Sequence, residues 1–186
     1  ALLGYRRVLE SITSTASYRS ADMPLEAVRT KVLSAFADFV AQRHFDQALA
    51  MLDYFPPLFP RSDQLEFRGE LLRQWGELLL SQSTGEGNQA DTSHAEGLGR
   101  LRAAGLAFEQ LAEHRFTTKS YTDDLWRSAE NYFHGHSFSR AICQLDKYLN
   151  NEVGLRNAEA LLRLGQAHLA LGRVTESTAA FQECID

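Results

Sequence analysis

The sequence predicts an all-α fold assembled from antiparallel helix pairs, and three observations support this prediction. Apolar residues recur with helical spacing, as at Val32, Phe36, Phe39 and Val40, and no long stretch alternates in the manner of a half-buried strand. The four prolines stand near predicted helix ends, where a missing N–H does least damage. Hydrophobic residues make up 44% of the 186 residues, which is enough to supply a packed core.

Taken in chain order, the periodic segments define nine predicted helices. Asp63 and Glu66 have the spacing of a capping box, and Thr122 is a candidate cap for a later helix. Gly154 and Gly172 suit the turns that follow two helices. The predicted helices cover residues 2–12, 24–42, 45–55, 63–82, 94–115, 122–134, 138–150, 156–171 and 174–185.

One stretch interrupts this rhythm. Residues 83–93 are polar, contain glycine and lack periodicity, so we predict a mobile loop between two long helices. Such loops can carry function, but the composition favours a tolerated insertion.

Charge and cysteine content argue against a nucleic-acid-binding protein and against a disulfide-rich protein. The formal net charge is −5 and no cluster of Lys and Arg stands out, so we do not expect nucleic-acid binding. The two cysteines, Cys143 and Cys184, both fall on predicted helices. Two cysteines in a chain of this length do not form a disulfide framework, and we expect buried free thiols.

Neither a membrane span nor a targeting signal is predicted. No run of 18 apolar residues occurs, and the first residues lack the ordered regions of a signal peptide. The chain begins without an initiator Met, so we expect a segment of a longer protein, with a cytoplasmic location as the default expectation.

The clearest internal repeat lies at the end of the chain. It follows the pattern W-x2-L-G-x2-Y and then A-x3-F, and this unit therefore resembles a tetratricopeptide repeat. The matching residues are Leu161 at the Trp position, Leu164 and Gly165 as the L-G pair, His168 at the Tyr position, Ser177 at the Ala position and Phe181 at the Phe position.

Earlier units match the family pattern less closely. Ala129 and Gly165 lie 36 positions apart, near the repeat length of about 34 residues. Phe36 departs from the small residue expected in the first unit, so that helix pair is expected to be more open. The matches are Leu125, Ala129 and Tyr132 with Ala141 and Leu145, and Val32, Phe36 and Phe39 with Ala48, Leu52 and Pro60.

The remaining units are weaker still. Ala104 and Phe108 suggest another second helix, whose partner would carry either Gly69 or Gly76 as its small residue. Ala1 and Tyr5 resemble the remnant of a further unit. The predicted units are residues 29–62, a degenerate 63–117 that contains the loop, 122–155 and 158–186, all in one repeat segment.

The resemblance implies an α–α superhelix, a right-handed solenoid whose first helices line a concave groove that receives a peptide or helix. Small residues let paired helices approach closely, and stacked pairs bury a continuous core. Since the groove positions are largely apolar, we expect an apolar segment or amphipathic helix as the ligand. The predicted partner-binding residues are Leu33, Ala37, Trp126, Glu130, Phe133, Leu162, Gln166 and Leu169.

Trp126 and Phe133 are the predicted anchors, because buried aromatics dominate interfaces. The alternative is that both rings pack within their own chain. The predicted function is a protein-binding scaffold. The alternative function is a structural spacer or self-association module in a larger protein, which would allow a homo-oligomer.

No catalytic, cofactor or metal site is predicted. The sequence from Gly97 to Gly99 lacks both the third glycine and the preceding strand of a dinucleotide site. The sequence from Gly135 to Ser139 follows a helix, so it lacks the strained turn of a nucleophile elbow, and Ser137 or Ser139 would instead cap the next helix. His134 and His136 lack evident further ligands, and we expect no enzyme.

Overall fold

A computed structural model describes residues 24–55, 58–83, 88–152 and 156–185. Within these ranges the chain forms eight α-helices and no β-strand, which confirms the all-helical prediction. The helices are α1 (Leu25–Ala41), α2 (Phe45–Tyr54), α3 (Arg61–Gln82), α4 (Asn88–His114), α5 (Tyr121–His134), α6 (Phe138–Asn151), α7 (Asn157–Ala170) and α8 (Val174–Ile185).

Seven of these helices begin and end within two residues of their predicted bounds, and α4 is the exception. It begins at Asn88, so the prediction of a loop over residues 83–93 is wrong for its second half. Asp91 lies in the first turn of α4, where a carboxylate favours the helix dipole. The predicted helix at 2–12, with Ala1 and Tyr5, lies outside the described residues.

The helix ends differ in detail from the expected caps. Because α3 begins at Arg61, Asp63 lies in its first turn and is not the N-cap that the predicted capping box requires; it accepts a hydrogen bond from Ser62 at 3.2 Å. Helix α5 begins one residue before Thr122, so Thr122 is not its cap. Ser137 occupies the N-cap position of α6 without a side-chain cap bond. Gly172 has φ +71°, as its turn requires. Gly154 is not among the described residues.

The chain divides into two compact units, with the boundary between Leu71 and Leu72 inside α3. In the first unit, Phe36 is buried and its ring centroid lies 5.5 Å from that of Phe67. Phe59 packs edge-on against the same Phe67 ring at 6.0 Å. An aromatic side chain, Phe36, is therefore packed at the position where the predicted repeat expects a small residue.

In the second unit, α4 packs on α5, α5 on α6, α6 on α7 and α7 on α8. A hydrophobic core joins α4, α5, α6 and α7, and its residues are Ala112, Leu125, Trp126, Ala129, Leu145, Tyr148 and Ala160. Ala129, predicted as a small packing residue, is 1% exposed. Helices α4 to α7 thus share one apolar interior.

Glycines allow close helix contacts in the second unit. A Cβ added at Gly165 of α7 would lie 2.4 Å from the Phe181 ring of α8, which no side chain can tolerate without displacing that ring. The Ser177 hydroxyl donates a 2.8 Å hydrogen bond to the Gly165 carbonyl. The predicted small, small and aromatic positions of the last repeat therefore meet in space.

The same three-residue contact recurs between α4 and α5. A Cβ at Gly105 would lie 2.7 Å from the Tyr132 ring, and Ser128 donates a 2.8 Å hydrogen bond to the Gly105 carbonyl. Ser128 and Tyr132 have the same spacing as Ser177 and Phe181. Gly105 carries no role in the sequence-based repeat, so this contact is one that the sequence analysis missed.

A third close approach joins α3 to α4. A Cβ at Gly76 would lie 2.9 Å from Leu101 Cγ and 3.0 Å from the Gly97 carbonyl oxygen. Of the two glycines left open by the sequence, Gly76 is therefore the one seen to pack closely, and it meets Gly97 and Leu101 rather than the predicted Ala104 and Phe108. Gly97 serves this helix contact.

Two predictions about polar residues need correction. Cys143 is exposed, and Cys184 is only partly buried, its thiol donating to the Ala158 carbonyl at 3.1 Å. The expectation of two buried thiols is wrong because α6 turns Cys143 away from the core. His168 is partly buried, and its Nδ1 has no hydrogen-bond partner among the described residues, so it is not a satisfied core histidine.

Candidate functional site

The eight predicted partner-binding residues fall into the two compact units. Leu33 and Ala37 lie on α1 of the first unit, where Leu33 is partly buried and Ala37 is exposed. The other six lie on α5 and α7 of the second unit. The second unit alone therefore brings several of them close enough to form a site.

Arg163 of α7 gathers three of those six residues around one guanidinium. Its Nε donates to Glu130 Oε1 of α5 at 2.9 Å, and its Nη1 donates to Gln166 Oε1 at 3.1 Å. Its Cζ lies 5.0 Å from the centroid of the Phe133 ring, within the range of a cation–π contact. Glu130, Phe133 and Gln166 thus form one surface with Arg163 at its centre.

Glu130 is also held from its own helix. His134 Nε2 lies 3.5 Å from Glu130 Oε2, one turn along α5. Burial alone would raise the pKa of the Glu130 carboxyl, but the hydrogen bond from His134 and the charge of Arg163 outweigh it and leave that pKa below its ordinary value. The carboxylate is therefore stabilised in its charged form and links α5 to α7.

Two exposed leucines extend the surface along α7. Leu162 is 42% exposed and Leu169 is 55% exposed, so both present more apolar area to solvent than a core residue would. With Gln166 they occupy positions i, i+4 and i+7, which share one helix face. We define the Arg163 surface as Glu130, Phe133, Leu162, Arg163, Gln166 and Leu169.

Trp126 does not belong to this surface. It is 8% exposed, belongs to the hydrophobic core, and its ring centroid lies 5.5 Å from that of Tyr148. Arg156 covers it further, with Cζ 5.5 Å from the ring centroid. The geometry leaves little of the Trp126 ring for a partner, and packing within the chain accounts for it.

Phe133 is intermediate in exposure between the exposed leucines and the buried Trp126. It is partly buried, and its ring makes an edge contact with Phe138 at a centroid separation of 5.5 Å. The remaining face is shared with Arg163. Only part of the Phe133 ring is therefore open to solvent.

Arg163 is the residue of this surface that the sequence analysis missed. The repeat pattern assigns no role to its position, so pattern matching gave it no weight. One signal was available: Arg163 precedes Gln166 by three residues, a spacing at which helical side chains meet. The contact with Glu130 spans 33 residues and needed the tertiary structure.

A cleft of about 650 Å³ opens beside Glu130, and its walls include Glu77, His94, His134 and His136. His136 adopts φ +56° in the turn between α5 and α6, a left-handed conformation that histidine adopts more often than most residues. Its ring stacks on Phe138 at 5.6 Å. In the described ranges, no three His, Cys, Asp or Glu side chains are grouped so that they could hold a metal ion.

Comparison with known proteins adds no identification. Protein-family models, curated protein sequences and solved structures were each compared with the chain, and no match was found. Among the described helices, none combines the length and the hydropathy needed to cross a membrane.

Proposed function

We propose that this chain is a tetratricopeptide-like scaffold that binds an apolar segment of a partner protein on the Arg163 surface. The single observation that carries the proposal is the convergence of Glu130, Phe133 and Gln166 on Arg163, because residues selected for a shared groove from sequence meet on one surface. The glycine contacts between consecutive helices support the repeat architecture.

The chemistry of this surface favours an amphipathic helix as the bound segment. Leu162 and Leu169 are two helical turns apart, which is about 10 Å along the axis at 1.5 Å per residue. A helix that presents apolar residues at i and i+7 covers the same distance. Burial of exposed leucine area supplies the affinity.

Charge has a secondary role in this binding. The Arg163 guanidinium is already paired with Glu130 at 2.9 Å, and Gln166 offers its amide N–H groups to a ligand while its oxygen accepts from Arg163. We therefore expect polar contacts to orient the segment rather than to attract an acidic tail. Arg163→Ala should weaken binding through loss of this preorganised pair.

Selection from a displayed library of random peptides tests the proposal, because the library itself supplies candidate ligands for the surface. Peptides are selected on the wild-type chain and counted again on Leu169→Asp and Leu162→Asp. We expect enrichment of helix-forming sequences with apolar residues at i, i+3, i+4 and i+7, and binding at least ~10-fold weaker on each variant. Affinities are then measured by calorimetry with the isolated peptides.

Val174→Asp is the matched control, since Val174 is 63% exposed on α8 and lies outside the Arg163 surface. It should leave the peptide affinities unchanged. Peptides that bind all three aspartate variants as tightly as the wild-type chain would contradict the proposal. Unchanged far-ultraviolet circular dichroism establishes that the variants are folded.

Self-association is the second candidate function, and exposed apolar side chains near the end of the chain favour it. Leu171 is 38% exposed, Val174 is 63% exposed and Ile185 is 80% exposed. Light scattering over a range of protein concentrations decides this question. A stable dimer that Val174→Asp or Ile185→Asp dissociates would support the spacer or self-association function.

A further inference from the structure

A second, smaller cavity lies among α4, α5 and α6 and shares no residue with the Arg163 surface. Its volume is about 260 Å³, and its polar and aromatic walls are formed by Glu109, Glu113, Phe116, Tyr121, Gln144 and Lys147. This volume is below the range of roughly 300–1,000 Å³ typical of small-molecule sites. The cavity is suited to a single side chain.

Gln144 is one of the residues that line the cavity, and it has a buried hydrogen-bond acceptor. The residue is 1% exposed, and its Nε2 donates to Glu109 Oε1 at 2.8 Å, which fixes the orientation of the amide. The opposite atom, Oε1, is buried and has no hydrogen-bond partner within the described part of the chain. Since buried polar groups normally have a hydrogen-bond partner, this acceptor is suited to a donor from a bound ligand.

Glu109 is held in place by neutral donors. Its Oε1 accepts from the Gln144 amide, and its Oε2 accepts from the Tyr132 hydroxyl at 2.6 Å. Burial and the hydrogen bond to Glu109 raise the pKa of the Tyr132 phenol, which therefore remains the donor. Arg140 in turn donates to the Tyr132 oxygen at 2.9 Å. Arg140 therefore reaches Glu109 through the Tyr132 hydroxyl and also interacts with its charge, whereas the direct hydrogen bonds to Glu109 come from Gln144 and Tyr132.

The charge and the aromatic rings of the cavity select the same kind of ligand. Two carboxylates, Glu109 and Glu113, face one amine, Lys147, which leaves one net negative charge in the lining. Phe116 is 65% exposed and meets Tyr121 edge-on at a centroid distance of 6.3 Å. Aromatic faces attract cations within about 6 Å.

We propose that this cavity binds a basic side chain, lysine or arginine, of a peptide segment. A cationic N–H donor would give Gln144 Oε1 a hydrogen bond. Its positive charge would balance the net negative charge of the lining, and it would contact the exposed ring of Phe116. No neutral or acidic side chain meets all three conditions. The site extends beyond the proposed function, because it would recognise charge where the Arg163 surface recognises apolar area.

The test uses two small probes that differ only in the ammonium group. Nα-acetyl-lysine N-methylamide and Nα-acetyl-norleucine N-methylamide are titrated into the intact chain at low ionic strength. The Gln144 side-chain amide signals are followed by nuclear magnetic resonance and assigned by their loss in Gln144→Met. We expect saturable shifts with the lysine probe, and shifts at least ~5-fold weaker in apparent affinity with the norleucine probe.

Two exposed or partly exposed charges provide variants with opposite expected effects. Glu113→Gln should weaken the lysine probe by about threefold, and Lys147→Met should strengthen it by a similar factor. Glu183→Gln on α8 is the matched control, since Glu183 is exposed and lies outside the cavity, and it should change nothing. Leu169→Asp should also leave probe binding unchanged, which separates this site from the proposed function.

Three results would overturn the inference. One is the absence of a saturable shift with the lysine probe, and another is equal affinity for the norleucine probe. The third is an affinity for the lysine probe that neither Glu113→Gln nor Lys147→Met alters. Each would show that the cavity does not recognise positive charge.

Discussion

The helix pairs α4–α5 and α7–α8 pack through the same contact of a glycine, a serine and an aromatic ring, although their helices differ greatly in length. Helix α4 has 27 residues and α7 has 14. In each of them a glycine, Gly105 or Gly165, packs against an aromatic ring, and its carbonyl oxygen accepts a hydrogen bond from a serine hydroxyl. In α4–α5 the ring belongs to Tyr132, which is 1% exposed, whereas Phe181 in α7–α8 is partly exposed. The contact therefore depends on local geometry, and its energetic weight depends on burial.

The two contacts differ also in what surrounds the ring. The Tyr132 hydroxyl joins Glu109 and Arg140 in a hydrogen-bond network, and Phe181 has no hydroxyl to do so. The α4–α5 contact thus combines packing with a partly buried polar network, whereas the α7–α8 contact depends on packing and its serine hydrogen bond. The following substitutions separate these contributions.

Removing the aromatic ring should have the largest effect and should differ between the pairs. Tyr132→Ala should lower the free energy of unfolding by about 4 kcal/mol, because a fully buried ring leaves a cavity. Phe181→Ala should cost about 2 kcal/mol, because part of that ring is already solvated. Urea unfolding measures both values, and equal losses would contradict the difference in burial.

Adding a methyl group at the glycines should have an intermediate effect. Gly165→Ala and Gly105→Ala should each cost about 1–2 kcal/mol, because overpacking outweighs the gain in helix propensity. Combining Gly165→Ala with Phe181→Leu should cost less than the sum of the two single changes, since the smaller side chain makes room.

At Gly105 the corresponding double variant, with Tyr132→Leu, should recover less, because it also breaks the bonds to Glu109 and Arg140. Gly99→Ala is the control, since the nearest atom to its added Cβ lies at an ordinary 3.8 Å. Full recovery at both sites would show that the polar network contributes nothing.

Removing the serine hydroxyls should have a smaller effect that is equal in the two pairs. Ser177→Ala and Ser128→Ala should each cost roughly 1 kcal/mol, the net worth of one hydrogen bond, while the small side chain preserves the close approach. Ser139→Ala, at an exposed position of α6, should fall within about 0.5 kcal/mol of the wild-type stability. A large difference between Ser177→Ala and Ser128→Ala would mean that the two contacts are not equivalent.

The smallest expected effect concerns the ion pair between α5 and α7, which links the two pairs. Because the folded state lowers the pKa of Glu130, its contribution is fully present above the ordinary value of 4.5 and is lost as the pH falls through the lowered pKa. Glu130→Gln removes this contribution. The difference in unfolding free energy between wild type and Glu130→Gln should shrink as the pH is lowered below 4.5, and a constant difference would contradict the pairing.

Part of the candidate site was accessible from the sequence. The spacing of the predicted repeat selected Glu130, Phe133 and Gln166, and Arg163 contacts all three. The spacing could not separate them from Trp126, which shares the helix pattern but is buried against Tyr148. Which face of α5 is covered depends on α6 and α7, and the sequence of α5 alone does not contain that information.

Helical periodicity and proline placement by themselves determined the all-helical class and the bounds of seven helices, because both act within a few residues of the chain. The small residues at Ala129, Gly165 and Ser177 were also visible, because they match positions of the predicted repeat pattern. Tertiary structure alone decided that Gly105 pairs with Tyr132, that Arg163 binds Glu130, and that no described residue bonds to Gln144 Oε1. The first two contacts join residues far apart in the chain, and the third depends on the lack of a donor to Gln144 Oε1 among the described residues. Local sequence patterns contain neither kind of information.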